Sequence, residues 1–440
     1  MKARWLFLVA VLLTINPATA DWWQATTAYE EKNYVTAKRL FNALIPLGNE
    51  DAAFNLAAMN FNGEGVNPNK IMALAYFMLA EELGRQDAVD LQALLLSQLD
   101  AEQIADAKRQ HEQLRLDVKI WPKDRYDSIA HTDAPTAIKR PLPKYPKDVA
   151  NTLGYVLVRI LISEDGSVQA ADVVDTYPKN TFERNTLRAV KRWQYEPSDK
   201  KHVKIVHMNF TVPNHLLSRE VEKQIKQNLL WEGALMGSPN HQYLLGSILN
   251  LNHIHSGVHL IVQEKQPAPA ELNLDSFKHN DGVRARIDGF VGTALVRVAP
   301  DGRILEQVKA NFAPQSEVTD LVGLTLSGDI QTEQYFLSKL PGIARKAVDV
   351  RPAVAVPREL SANYWWDQAA KNGNHEAQRT IAAYDRRWES YLLEQQDPVV
   401  MAWTGTKMIL EGEREKGMAL LDAAIAKKYE PAAELKKHLM

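Results

Sequence analysis

The sequence predicts a multidomain α+β protein in which α-helical repeats at both ends flank a β-β-α-β domain and a further β-containing segment. Three observations lead there. Val156, Val158, Ile160 and Ile162 alternate with other residues at a strand period of two. Alanines and glycines recur at matching helical offsets near both ends of the chain. Asp165-Gly166 and Pro300-Asp301-Gly302 each separate two β-rich runs, and these residues take the backbone angles of tight hairpin turns at little cost.

In chain order, residues 1–20 read as a secretory signal: Lys2 and Arg4 precede an apolar run over 5–15, and Ala18-Thr19-Ala20 supplies small residues for cleavage before Asp21. An uncleaved inner-membrane anchor is the alternative. The run is shorter than the roughly 20 apolar residues a spanning helix needs, and no later stretch qualifies. The 440 residues contain no cysteine, which fits an exported chain stabilised by packing alone. A net charge of −2 argues against a nucleic-acid partner.

Residues 21–116 read as paired helices. Ala25, Tyr29, Tyr34, Ala37, Phe41 and Leu44 suit a first pair. Ala52, Leu56, Gly63-Glu64-Gly65-Val66, Ala73, Tyr76-Phe77, Ala80, Gly84 and Ala88 suit a second, with alanines permitting close approach and glycines making the turns. Gly48 and Gly84 stand 36 residues apart, near the tetratricopeptide period. In 357–440, Trp365, Ala369, Gly373 and Ala377 copy the offsets of Tyr76, Ala80, Gly84 and Ala88. Leu420, Ala424, Lys428 and Ala432 repeat them again, with Lys428 in place of glycine suggesting a degenerate cap with a different loop. These segments resemble Sel-like repeats, which implies adaptor work on a concave surface. Plain alanine-rich helix packing is the competing account.

Residues 117–143, with Pro122, Pro135, Pro141 and Pro143, read as an extended linker. The domain at 144–213 follows, mildly basic with 11 Lys and Arg against 8 Asp and Glu, too weak a balance to suggest a polyanion ligand. After the first hairpin, Asn180 and Glu183 form a capping-box-like start to a helix. Phe182, Thr186, Val190 and Trp193 make its apolar face, and the helix is expected to end at Trp193 before Pro197. A last strand is expected at 203–212.

Tyr145, Pro146, Gly154, Asp165, Gly166, Phe182, Trp193, Tyr195 and Pro197 stand in the order and spacing that TonB C-terminal domains show, and residues 144–213 resemble that family. The resemblance implies a periplasmic module that grips an extended segment of a partner by adding a strand. The partner-binding edge is then the last strand, with Val203, Lys204, Ile205, Val206, His207, Met208, Asn209 and Phe210. The competing account is an edge covered by the rest of the chain. Proteins of that family carry a longer proline-rich spacer and an uncleaved membrane helix with a functional histidine, whereas 5–15 here contains no histidine and repeats occupy the place of the spacer. Those departures bear on force transmission and not on strand addition.

Residues 214–257 read as helical, with Leu217, Val221, Ile225 and Leu229 at a spacing of four. Within 258–356, the hairpin signal, a helical end at Ala347-Val348 and Arg351-Pro352 follow in the order of the first domain, which suggests a degenerate second copy with β-β-α-β order.

Catalytic chemistry lacks its usual patterns: there is no G-x-S-x-G, P-loop or H-E-x-x-H, so no enzyme activity and no cofactor are expected. His253-x-His255-x-x-x-His259 places two imidazoles on one side of a strand, yet lacks the further ligands of a structural metal site, so no metal is assigned. Trp22-Trp23 and Trp365-Trp366 could serve as ligand platforms for cell-wall glycan, although packing between helices is the better use. The expected partners are periplasmic proteins, outer-membrane receptors among them. The alternative function is a periplasmic scaffold or envelope-assembly adaptor without energy transduction.

Overall fold

The computed structural model describes residues 21–122, 135–146, 149, 152–210, 214–255, 283–285, 287, 289–299, 301–326, 334–339, 348–352, 359 and 361–440. The run at 5–15, its cleavage site and His259 lie outside them. The chain opens with α1 (Trp22–Glu30), α2 (Tyr34–Leu44), α3 (Glu50–Asn62), α4 (Lys70–Glu82), α5 (Ala88–Leu96) and α6 (Ala101–Asp117). Then come β1 (Ala137–Lys139), β2 (Gly154–Ile162), β3 (Val168–Tyr177), α7 (Glu183–Val190), β4 (Gln194–Tyr195) and β5 (His202–Phe210). Three helices follow, α8 (Asn214–Gln227), α9 (Leu230–Leu235) and α10 (Pro239–His255). A second β region holds β6 (Val283–Ala285), β7 (Gly292–Val298), β8 (Ile304–Phe312), β9 (Gln334–Lys339) and β10 (Val348–Pro352). The chain closes with α11 (Ala362–Lys371), α12 (His375–Ala382), α13 (Arg386–Glu394), α14 (Pro398–Leu410), α15 (Arg414–Ala426) and α16 (Glu430–Leu439).

Two compact units result, and neither is a continuous stretch of sequence. The first takes the described residues of 1–123, 232–243 and 367–397. Its helices pack through small side chains: Ala25, Ala37, Ala52, Ala57, Ala73 and Ala80 are fully buried. Polar ties join its separate segments. Asn49 caps α3 by accepting from the Ala52 N–H at 2.7 Å, while its amide donates to the Lys371 carbonyl at 3.1 Å and the Asn372 side-chain oxygen at 2.7 Å. The Trp22 N–H donates to the Asn372 carbonyl at 3.1 Å. Lys371 is buried between Asp367, at 3.3 Å, and Glu50, at 3.7 Å, so its charge is compensated on two sides.

The offsets that recur in sequence correspond to one recurring turn. Gly84, Gly373 and Lys428 all adopt left-handed backbone, with φ of 119°, 96° and 63°. In each case the next N–H reaches back to the carbonyl of the matching alanine, Ala80, Ala369 or Ala424. Ala88, Ala377 and Ala432 are fully buried in the helices that follow. Lys428 therefore keeps the loop of the other copies, against the expectation of a different one, and does so with a Cβ in a region that suits glycine. Lys428→Gly is expected to raise stability by about 1 kcal/mol. Amide hydrogen exchange across Arg414–Leu439 checks this, and lowered protection would refute it.

The second unit takes the described residues of 124–231, 244–366 and 398–440. It contains a three-stranded antiparallel sheet in the order β3-β2-β5 and a five-stranded sheet in the order β6-β10-β9-β7-β8. Val156, Val158, Ile160 and Ile162 form one core with Phe182, Val190, Trp193, Tyr195 and, from β5, Val206, Met208 and Phe210. The five-stranded sheet has its own core around Phe290, Ala294, Val296, Val298, Ile304 and Leu337.

The two hairpins close alike. The Ser163 N–H donates to the Ser167 carbonyl and the Ala299 N–H to the Arg303 carbonyl, both at 2.9 Å, with Gly166 and Gly302 at φ of 82° and 88°. Beyond the hairpin, turns occupy 313–326 after β8 and Val348 lies in β10 rather than at a helix end, while Ala347 and the stretch before it, where the expected helix falls, lie outside the described residues. His253 and His255 belong to α10, not to a strand, so their spacing of two separates them by about 200° around the helix axis. Among the described residues no three metal-ligating side chains cluster.

Candidate functional site

The three-stranded sheet presents β5 at one edge, and among the described residues no strand pairs with its outer side. On its inner side β5 pairs with β2 along its whole length, from Gly154↔Phe210 to Ile162↔His202. Its side chains alternate as a strand requires: Val206, Met208 and Phe210 point into the core, Val203, Lys204, Ile205 and His207 are half-buried, and Asn209 is exposed. The described strand runs to Phe210, and 211–213, where the expected strand continues, lie outside the described residues.

The residues that carry the family resemblance fix this edge from behind. Gly154 has no room for a Cβ, which would stand 2.3 Å from both the Phe182 ring and the Tyr177 carbonyl. Phe182 and Phe210 consequently stack at 4.0 Å, and the Tyr145 ring packs edge-on against both, at 5.6 and 5.9 Å. Gly166 likewise meets the Tyr195 carbonyl, at 2.0 Å from a built Cβ, in addition to its positive φ. Trp193 is buried, and its indole N–H donates to the Pro141 carbonyl at 3.1 Å. Pro146 is half-buried and Pro197 exposed. Helix α7 begins at Glu183 and ends at Val190, a turn earlier than expected. Asn180 is not its cap: it sits at φ 59°, and only the Glu183 half of the box forms, accepting the Asn180 N–H at 2.6 Å.

Asp165 binds the hairpin turn. Its carboxylate accepts from the Ser163 hydroxyl and from the Ser167 N–H at 2.9 Å, and these bonds, the Ser163 one first, hold its pKa down at about 2. A depressed folded pKa contributes stability above the ordinary carboxylate value of about 4, lost as pH falls through about 2. Asp165→Asn should therefore flatten the acid-unfolding slope between those values, and a slope identical to the parent's would refute the assignment.

Two features escaped the sequence reading. First, the stretch expected to be linker contributes to the sheet's surroundings: β1 pairs with β4, and the Glu196 N–H donates to the Thr136 carbonyl at 2.9 Å. Second, β2 is buried on both faces. On the face away from α7, the Arg159 guanidinium lies 5.3 Å from the Trp403 ring centroid. Asp172 on β3 accepts from the Trp403 indole at 3.1 Å and from the Tyr429 hydroxyl. Burial, then the Asp172 charge, pushes the Tyr429 phenol well above its ordinary pKa, so it stays a donor. Lys191 pairs with Glu434 at 2.8 Å, a further tie to α16.

Alongside β5 runs a groove of about 430 Å³, bounded on the other side by residues from Pro135 to Arg140.

Residues 141–213 match the family described as the C-terminal region of the Gram-negative bacterial TonB protein. The sheet order, the glycine contacts and this match coincide on the same residues. Residues 141–213 are a TonB C-terminal domain. The chain is 30% identical over 81 residues to Protein TonB of Yersinia enterocolitica, covering 18% of this chain and 32% of that protein. It is 35% identical over 65 residues to Protein TonB of Escherichia coli K12, covering 14% and 27%, and 31% identical over 71 residues to Protein TonB of Klebsiella pneumoniae, covering 16% and 29%. The chain thus spans about a third of the length of the curated relatives it matches. Outside the TonB C-terminal domain, no helix among the described residues is long and apolar enough to cross a membrane.

Proposed function

We propose that this chain is a periplasmic protein whose TonB C-terminal domain captures an extended segment of a partner by strand addition at β5, in the service of outer-membrane receptor-dependent transport. The observation that carries the proposal is the outer edge of β5, with no strand paired to it among the described residues. About half of the N–H and C=O groups of an edge strand point away from its neighbour, and a partner backbone satisfies them. The core-facing Val206, Met208 and Phe210 hold the strand rigid while it does so. The helical units, read as Sel-like repeats, recruit a second protein. The test is recovery of partners by the exported chain from solubilised outer and inner membranes. Outer-membrane receptors among the recovered proteins are expected, and recovery of soluble envelope proteins alone would overturn the transport role.

A second reading, a periplasmic scaffold without energy transduction, draws on the ties of Asp172 and Arg159 to the C-terminal helices. There the sheet serves as an organiser for α14–α16, and the helical surfaces bind. The same recovery experiment separates the two.

A further inference from the structure

The groove beside β5 carries charge that backbone pairing does not use. Two cations face it from opposite walls, Arg140 just after β1 and Lys204 on β5. Each is seated on an aromatic face: the Arg140 guanidinium lies 4.5 Å from the Trp193 ring centroid, and the Lys204 amine 5.4 Å from that of Tyr195. Both rings are buried in the core, so the cations rest on fixed supports rather than on mobile loops. Among the described residues no Asp or Glu lines the groove, and β5 contains none. Burial, and then the Arg140 charge, holds the Lys204 amine below its ordinary range. Two like charges held beside an open strand edge, with no counter-ion among the described residues, favour an anion brought in by whatever pairs with that edge.

We infer that this groove receives the carboxylate side chain of an Asp or Glu in the captured segment, seated between Arg140 and Lys204, and that this pair selects which segments β5 accepts. The inference rests on strand addition at β5. A peptide occupant is favoured over a free anion because the groove runs along Lys204, Ile205, Val206 and His207, where the strand's outward backbone groups recruit a chain.

The experiment uses the exported full-length chain and two acetylated, amidated nonapeptides of alternating threonine and valine. One carries glutamate and the other glutamine, each moved through every position, and affinities are read by fluorescence anisotropy. At one position the glutamate peptide is expected to bind about tenfold more tightly. Arg140→Gln and Lys204→Gln should each remove most of that preference, read within each variant as the ratio of glutamate-peptide to glutamine-peptide affinity. Lys204→Glu, if folded by circular dichroism, places a carboxylate opposite Arg140 and should abolish the preference for glutamate. Equal binding of the glutamate and glutamine peptides at every position overturns the inference and leaves strand addition standing. Binding of neither peptide overturns both. Binding of inorganic phosphate that depends on both cations, without any peptide preference, assigns the groove to a free anion and also overturns it.

Discussion

Trp193→Ala is expected to destabilise the three-stranded sheet by about 3–5 kcal/mol, the range for removing a fully buried indole. Trp193 is 2% exposed and touches a core to which β2, α7 and β5 all contribute. Its removal also strips a donor from the Pro141 carbonyl and the aromatic support from Arg140, so the chain before β2 loses its anchor with the core. Trp193→Phe separates the two effects: it keeps much of the buried area and loses the hydrogen bond, for an expected cost of about 1–2 kcal/mol. Because the molecule has more than one compact unit, a single unfolding midpoint would mix them. Amide hydrogen exchange across Gly154–Ile162 reports the sheet by itself. Protection in the alanine variant equal to that of the parent would contradict the central place given to Trp193.

The same residues explain what sequence could and could not reveal. Val156, Val158, Ile160 and Ile162 announced one buried face because a strand alternates its side chains, and that periodicity is local. The other face carried a signal too, since Tyr155, Leu157 and Leu161 leave β2 almost without polar positions, the pattern of a strand covered on both sides. What covers it was not legible. Asp172 meets Trp403 and Tyr429 across more than 200 residues of chain, and no short-range rule links them. Gly84 and Gly373 disclosed their turns through glycine itself, whereas Lys428 concealed the same turn behind a side chain that seldom adopts it. The Arg140 side of the groove was hidden for a further reason. Proline-rich composition predicts extended backbone, which β1 has, yet says nothing of the β4 strand it pairs with. The expected linker thus contains one wall of the candidate site.

Proline in β5 gives the largest expected effect on function, and two adjacent positions make the test internally controlled. Successive N–H groups of a strand point to opposite sides in the plane of the sheet, so of Ile205 and Val206 one donates toward β2 and the other toward the open edge. Proline removes the N–H wherever it is placed and is tolerated only where that group faces outward. One of Ile205→Pro and Val206→Pro should therefore break a bond to β2 and strip hydrogen-exchange protection from the sheet. The other should keep the sheet folded and lower partner capture by at least a hundredfold, because the missing donor and the ring both obstruct an added strand. Ile205→Ala and Val206→Ala account for the side chains lost, the second at about 1–3 kcal/mol since Val206 lies in the core. The expected signature is thus one folded variant that does not bind and one that binds poorly because it unfolds. If the folded proline variant captured partners as well as the parent does, the edge would not be where recognition occurs. The helical surfaces would then be the place to search.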